Sequence, residues 1–302
     1  MRAKISIIIS MIVFGSIGIF VKNINLSSME IALFRAIIAS LFLIVAGIVI
    51  KINISVKDIK TNLLLLVLSG TCMGINWIAL FQGYKYTTIS NATLGYYSAS
   101  IFVIMLSPIV LKEKITLTKV ICVFTAMFGL FLIINEGNSG SSDTYNHMLG
   151  MIYVVSGAML YATVILINKR IKNLPGFETA LLQLMVAAIT LLPVVLLQLK
   201  TQGDSPLVLL NMGTKSWINI LLLGIVHTGF AYLLYFGSVK ELSAQSIAIL
   251  SYIDPVSAVI MAMIFLGEDI TIAKIIGGIL ILGSTYFAES TGGTKIPIKQ
   301  KN

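Results

Sequence analysis

Ten long apolar runs, separated by short polar segments, make up most of the chain. Each run is close to the length of about 20 residues that an α-helix needs to cross the hydrocarbon core of a bilayer. Their length favours helix over strand, and the sequence therefore predicts ten transmembrane helices. The runs cover approximately residues 4–21, 29–50, 63–84, 89–111, 116–134, 149–168, 177–199, 216–238, 243–266 and 271–288.

The composition supports this interpretation and limits the function classes. Hydrophobic residues make up 57% of the chain and charged residues 11%, and the mean hydropathy is +0.98. Because soluble domains are about 25% charged, we expect an all-α integral membrane protein. Cys72 and Cys122 lie inside apolar runs, so no disulfide is predicted.

The net charge of +9 comes from Lys and Arg residues in short loops, which is typical of a membrane protein and does not indicate nucleic-acid binding. With the N-terminus placed in the cytoplasm, 15 Lys and Arg residues fall in cytoplasmic segments and five outside, and Arg35 within a helix completes the 21. This asymmetry predicts a multi-pass protein of the cytoplasmic membrane with both termini in the cytoplasm.

The two halves of the chain repeat one another weakly but in register. Tyr97 matches Tyr252 at an offset of 155 residues, and Lys22 matches Arg170 at an offset of 148. Five helices per half is an odd number, so the second half must enter the membrane from the opposite side, which predicts two inverted five-helix repeats. The predicted parts are a first repeat over 1–136, an external Gly/Ser-rich linker over 137–147, a second repeat over 148–290 and a cytoplasmic tail over 291–302.

The ninth run, Ser243–Leu266, carries the strongest functional signal. Asp254 lies near its middle, and a carboxylate at that depth costs roughly 2.5–3.5 kcal/mol on insertion scales. Pro255 follows directly and removes a backbone donor, which predicts a broken helix beside an ionisable group. We therefore predict that Asp254 faces a substrate cavity, with a structural acid bonded to Ser, Tyr or backbone as the alternative.

Polar and aromatic residues at similar depth are the other candidates for the substrate site. Aromatic bodies with hydrogen-bonding tips suit a small organic substrate, although helix packing also explains such residues. A proton-handling role is natural for His227, and a neutral ring bonded to a neighbouring helix is the alternative. The predicted set consists of Asn76, Trp77, Tyr96, Tyr97, Tyr161, His227, Tyr232, Ser251 and Tyr252.

Arg35 lies in the outer third of the second run, where two roles are open. It either binds a substrate carboxylate or pairs with Glu30 or another acid and holds the outer end together. We treat Arg35 and Glu30 as candidates for gating or charge pairing.

Several local patterns resemble the drug/metabolite transporter superfamily, in its EamA branch. They are Phe14-Gly15-Ser16-Ile17-Gly18, Leu33-Phe34-Arg35-Ala36, and Phe265-Leu266-Gly267-Glu268 together with Ser107-Pro108 through Glu113. The resemblance implies ten helices in two inverted halves, and export as the more usual direction. The chain departs from the pattern where Ser100 matches Pro255, which predicts unequal breaks in the two halves. Helix 1 also lacks the Glu of short multidrug relatives.

Enzyme, metal and channel functions find little support in the sequence. The chain has no H-E-x-x-H, G-x-S-x-G or P-loop motif, and no metal ligands at usable spacing. We expect a secondary transporter, with no cofactor, that moves a small organic metabolite such as an amino acid or amine. A proton-coupled efflux pump for drug-like cations, a channel and a non-transporting membrane protein are the alternatives. Proton coupling is a further hypothesis, and the protein is expected to be a monomer or homodimer.

Overall fold

A computed structural model describes residues 2–52, 55–112, 116–139, 146–202, 213–239 and 250–291. All regular structure in these residues is helical. The elements are α1 (Arg2–Lys22), α2 (Ser28–Val49), α3 (Val56–Tyr86), α4 (Ile89–Tyr96), α5 (Ala99–Leu111), α6 (Leu117–Ser139), α7 (His147–Asn168), α8 (Gly176–Gln202), α9 (Thr214–Gly224), a π-helical segment (Ile225–Phe230), α10 (Ala231–Val239), α11 (Ile253–Leu266) and α12 (Ile272–Thr291).

These elements group into ten apolar segments that follow the ten predicted runs. Within the described residues, seven segments are long and apolar enough to span a bilayer, with α4 and α5 forming one segment and α9 to α10 another. Three shorter apolar helices lie at Val120–Ile133, Ile253–Leu266 and Ile272–Ser284. The chain is therefore a multi-pass membrane protein. The predicted linker and tail fall largely on residues 140–145 and 292–302, outside the described ranges, as do Glu113 and residues 243–249 of the ninth run.

Helix starts are set by short polar side chains. Ser27 caps α2 by accepting a hydrogen bond from the Glu30 backbone N–H (3.2 Å), and the Glu30 carboxylate accepts one from the Ser27 N–H (2.7 Å). This reciprocal pair is a capping box, which satisfies two donors at the helix start. Thr88 similarly caps α4 by accepting from the Asn91 N–H (3.2 Å).

The prediction of unequal breaks in the two halves is wrong. The fourth segment is interrupted at Tyr97 and Ser98, between α4 and α5, although no proline is present there. In the ninth segment a turn at Tyr252 precedes α11, so Tyr97 and its match in the repeat register both lie at a break. Pro255 falls in the first turn of α11, where a missing N–H costs no intrahelical hydrogen bond.

The main core lies between α1, α2, α3, α7, α8 and α9, with buried residues such as Phe81, Ile31, Leu43 and Leu184. A smaller cluster joins α4 to the pair α6 and α12 through Leu94, Ile133 and Ile281. Large apolar side chains cover much of the outer surface. Such a surface suits lipid, where outward-facing apolar groups cost nothing.

Candidate functional site

A cavity of about 380 Å³ lies between the helices near the two breaks. Its walls come from α1, α2, α3, α4, α5, α7, α10 and α11. The lining residues are Met11, Phe14, Gly15, Ile17, Arg35, Trp77, Leu80, Tyr84, Thr93, Tyr96, Tyr97, Ala99, Ser100, Tyr161, Ile165, Tyr232, Tyr235, Phe236, Ser251, Tyr252, Asp254 and Ala258.

Asp254 stands in the cavity wall in the first turn of α11. Backbone N–H groups at a helix start favour a carboxylate there. The Tyr97 hydroxyl lies 3.0 Å from Asp254 Oδ2, to which it donates, and 3.2 Å from the Ser251 carbonyl. The two helix breaks therefore meet at this carboxylate, since Tyr97 begins the first break and Ser251 directly precedes the second.

Aromatic rings form much of the remaining wall. The rings of Tyr96 and Tyr161 stack with centroids 5.4 Å apart, and the ring of Tyr232 meets those of Phe14 and Phe236 edge to face at 5.9 and 5.6 Å. Rings packed on one another in this way are held rigidly and keep the cavity shape. Such a lining offers faces for a cation or apolar group and hydroxyls for hydrogen bonds.

Arg35 reaches the cavity from α2. Its Nε donates to Thr228 Oγ1 (2.8 Å) in the π-helical segment, and its guanidinium carbon lies 4.1 Å from the centroid of the Trp77 ring. The expected ion pair with Glu30 is not formed, because the Glu30 carboxylate is used in the capping box of its own helix. Within the described residues, the one ion pair is that between Lys22 and Glu268.

Nine of the predicted residues line the cavity, namely Arg35, Trp77, Tyr96, Tyr97, Tyr161, Tyr232, Ser251, Tyr252 and Asp254. His227, Asn76 and Glu30 do not. The His227 ring lies in the π-helical segment, hydrogen-bonded through Nε2 to Ser16 Oγ (2.9 Å) and through Nδ1 to the Leu222 carbonyl (3.0 Å). Its ring nitrogens are therefore occupied by these two partners, as in the predicted alternative of a neutral ring bonded to a neighbouring helix. Asn76 is buried at the contact of α3 with Gly157 of α7.

The structure adds lining residues that were not predicted, chiefly Phe14, Tyr84, Thr93, Ser100, Tyr235 and Phe236. The sequence signal that identifies some of them is their helical spacing from predicted residues. Tyr235 and Phe236 follow Tyr232 by three and four residues, and Tyr84 follows Trp77 by seven, so each shares a helix face with a predicted residue.

One end of the bundle, which we call the Glu268 end, is closed by polar contacts. The Glu268 carboxylate accepts hydrogen bonds from the Ile89 N–H (2.7 Å), the Ser90 N–H (3.0 Å) and the Ser90 hydroxyl (2.7 Å), and Lys22 Nζ lies 3.5 Å away. Burial alone would raise the pKa of the Glu268 carboxyl, but the hydrogen bonds from Ser90 and Ile89 and the Lys22 charge outweigh it and lower that pKa. The carboxylate thereby joins the ends of α1, α4 and α11.

The cavity reaches far along the bundle from the Glu268 end. His147, at the start of α7, hydrogen-bonds through Nδ1 with Thr87 Oγ1 (2.8 Å) beside the start of α4. Tyr161 lines the cavity 14 residues later, roughly 21 Å along the helix at 1.5 Å per residue. Thr93, one turn from the Ile89 and Ser90 contacts, also lines the cavity, so the cavity extends from near the Glu268 end into the opposite half of the bundle.

No group of three or more His, Cys, Asp or Glu side chains that could hold a metal ion occurs in the part of the chain that the structure describes. The polar and aromatic groups that line the cavity are Asp254, Arg35, hydroxyls and aromatic rings. These groups can bind and orient an organic molecule by charge and hydrogen bonding.

Comparisons with known proteins place the chain among membrane transporters. The model of the EamA-like transporter family matches residues 1–135 and 148–289. The chain is 31% identical over 280 residues to "Uncharacterized transporter YxxF" of Bacillus subtilis (strain 168), covering 92% of this chain and 86% of that protein. An uncharacterized transporter of Archaeoglobus fulgidus is 24% identical and covers 94% of both chains. One solved structure, described only as a crystal structure of a protein, has a TM-score of 0.64 at 17% identity and covers 96% of both chains, which supports the fold.

Proposed function

Because the chain belongs to the EamA-like transporter family, we propose that it is a secondary transporter that carries a small organic metabolite, such as an amino acid or amine, through the cavity at Asp254. The family is one of membrane transporters and not an enzyme class. The observation that carries the proposal is a carboxylate in an aromatic cavity where two broken helices meet.

The two halves are proposed to be inverted five-helix repeats over 1–136 and 148–290. Two matched features and the distribution of Lys and Arg support this. The breaks occur at Tyr97 and Tyr252, and the helices that follow both end in a left-handed residue, Lys112 (φ 57°) and Gly267 (φ 65°). These pairs share the offset of 155 residues, and the Lys and Arg asymmetry requires an odd number of crossings per half.

Alternating access is the proposed mechanism. The Glu268 contacts close one end, and the cavity extends from about one helical turn away into the other half of the bundle. With both termini in the cytoplasm, the Glu268 end would lie on the outer side of the membrane, and the state in which its contacts are closed would be the inward-facing one. Transport would require the contacts at the Glu268 end to open while the cytoplasmic end closes. Export is proposed as the direction.

A cation efflux pump for drug-like amines is the second candidate. It is favoured by the same carboxylate and by the ring faces of Tyr96, Tyr161 and Tyr232, which can bind an organic cation. Proton coupling, if present, is proposed to use Asp254, because both ring nitrogens of His227 are already hydrogen-bonded.

Uptake into proteoliposomes tests this proposal. The panel holds labelled neutral and aromatic amino acids and lipophilic cations, with and without a pH gradient, for wild type and Asp254→Asn. We expect saturable flux of one class that is lost in Asp254→Asn, and a dependence on the pH gradient if protons are coupled. Flux restricted to lipophilic cations would select the efflux pump, and normal flux through Asp254→Asn would contradict both candidates.

A further inference from the structure

We infer that the Arg35 guanidinium is a carboxylate-binding subsite of the cavity, so that the substrate is a zwitterion with its anionic group at Arg35 and its cationic group at Asp254. This inference rests on the proposed function, since it assumes that substrate enters the cavity. It narrows the substrate class from an amino acid or amine to a molecule with both charges.

The contacts of Arg35 leave most of its hydrogen-bonding capacity unused. The residue is 4% exposed and lines the cavity. A guanidinium has five N–H donors, and here the Nε–H donates to Thr228 Oγ1 (2.8 Å). Among the described residues, no hydrogen-bond acceptor is found for the four N–H groups on its two terminal nitrogens.

The charge of Arg35 is also uncompensated by a carboxylate. Glu30 accepts from the Ser27 N–H, and Glu268 binds Lys22, Ile89 and Ser90 at the closed end. In the residues that the structure describes, no acid lies within 4 Å of the Arg35 nitrogens. A buried charge without a partner is strongly unfavourable, and here the open space of the cavity is where its counter-charge can be bound.

Two neighbours hold the guanidinium in a fixed plane. The Trp77 ring lies against it, with 4.1 Å from the guanidinium carbon to the ring centroid. Thr228 Oγ1 donates to the Leu223 carbonyl five residues earlier (2.9 Å), so its lone pairs are directed to Arg35 Nε. The π-helical turn makes this i−5 bond available. Thr228 is therefore a positioning residue, and the terminal nitrogens remain as a planar fork that matches a carboxylate.

The charges of the cavity favour a zwitterion over an amine or a multivalent anion. Among the described residues that line the cavity, Asp254 is the one carboxylate and Arg35 the one Lys or Arg. They form no ion pair with each other, since the one described ion pair is that of Lys22 with Glu268. An amine alone would leave Arg35 without a counter-charge, and a phosphate would bring two negative charges to a single cation. A molecule with one ammonium and one carboxylate pairs with both.

Binding to the purified full-length protein tests the inference. The probes are the 20 common L-amino acids and the amines that correspond to them without the carboxylate, measured by calorimetry or by thermal shift. For the best-bound amino acid, we expect affinity about 10- to 100-fold higher than for its amine, as charge-assisted bonds to a carboxylate predict. Arg35→Gln should remove this difference while the affinity for the amine changes less than about twofold.

Thr228 and a surface lysine provide the controls. Thr228→Val should lower amino-acid affinity without changing amine affinity, and Thr228→Ser, which keeps the hydroxyl, should restore it. Lys57→Gln removes an exposed positive charge at the start of α3 and should leave both affinities unchanged. Retained amine binding shows that each variant is folded.

Two results would overturn the inference while leaving the proposed function in place. In the first, the amines bind as tightly as the corresponding amino acids, and Asp254→Asn abolishes this amine binding. The other is an Arg35→Gln variant that keeps a tenfold preference for the amino acid. If neither class binds wild type, the proposed function fails together with the inference.

Discussion

Replacing Glu268 by glutamine should open the Glu268 end of the bundle. Glutamine keeps the size of the side chain but has one acceptor oxygen in place of two. In the structure, Oε2 accepts from the Ser90 N–H and hydroxyl, and Oε1 from the Ile89 N–H with Lys22 Nζ 3.5 Å away. If the amide oxygen stays on Ser90, the amide NH₂ meets the Ile89 N–H and the Lys22 ammonium, which are donors as well.

The magnitude follows from these contacts. A hydrogen bond to a charged group contributes about 1.5–3 kcal/mol and a neutral one about 0.5–1.5 kcal/mol. Losing the Ile89 bond and weakening the two Ser90 bonds therefore costs roughly 3 kcal/mol. Because each 1.4 kcal/mol is a factor of ten, the open population at this end should rise roughly a hundredfold. Ser90→Ala removes one of the four donors to the Glu268 carboxylate and should raise the open population about tenfold.

Cysteine labelling measures that population. Thr93→Cys, in a background with Cys72→Ala and Cys122→Ala, places a thiol in the cavity one helical turn beyond Ile89 and Ser90. A membrane-impermeant maleimide is applied from the Glu268 side. When closing is faster than labelling, the rate is proportional to the open population. We expect labelling to be fastest in Glu268→Gln, slower in Ser90→Ala and slowest in the background that keeps both residues.

Asp269→Asn is the matched control, because it removes the neighbouring carboxylate, which is exposed. Its labelling rate should equal that of the background. Equal rates for Glu268→Gln and Asp269→Asn would refute the reasoning, because they would show that the Glu268 carboxylate does not hold this end closed.

Two further predictions concern the same helices. The folded-state pKa of Glu268 lies below its ordinary value of 4.5, so its stabilising contribution is present above about pH 4.5. It is lost as the pH falls through the lowered pKa. The Thr93→Cys labelling rate, divided by that of the Glu268→Gln variant at the same pH so that the thiolate fraction cancels, should therefore rise only below about pH 4.5. A rise of this ratio near neutral pH would contradict the prediction. Gly15→Val should lower the unfolding temperature in detergent, because a Cβ at Gly15 would lie 2.7 Å from the Asp254 carbonyl oxygen and 3.0 Å from the Ala258 nitrogen of α11. Gly237→Ala, with open space at its Cβ position, is the control, and equal unfolding temperatures for the two variants would count against close packing of α1 on α11.

The course of the chain through the membrane could be predicted from the sequence, but local departures from regular helix could not. Hydropathy marks apolar runs because the bilayer imposes a length on them. The break at Tyr97 and the π-helical turn at His227 contain no proline that would signal them. They depend on tertiary contacts, such as the bond from Arg35 to Thr228, which no local pattern encodes.

The candidate site could be predicted in part for similar reasons. A charged side chain in an apolar run costs free energy on insertion, so Asp254 stands out in the sequence as a candidate functional residue. Charge alone suggests Glu30 as a partner for Arg35. The sequence Ser27-x-x-Glu30, however, has the pattern of a capping box, in which the carboxylate binds the start of its own helix. His227 was placed at the site by depth, but depth does not decide which face of a helix points to the cavity, and its ring contacts Phe20 and Ser16 instead.

Counterflow into proteoliposomes tests the central claim, that substrate passes by alternating access through the cavity at Asp254, most directly. Vesicles are preloaded with the best-bound unlabelled ligand and diluted into a trace of the labelled form. We predict a transient overshoot of label for wild type and for Lys57→Gln, and none for Asp254→Asn. Linear, non-saturable entry without overshoot in wild type, or an undiminished overshoot in Asp254→Asn, would contradict the account.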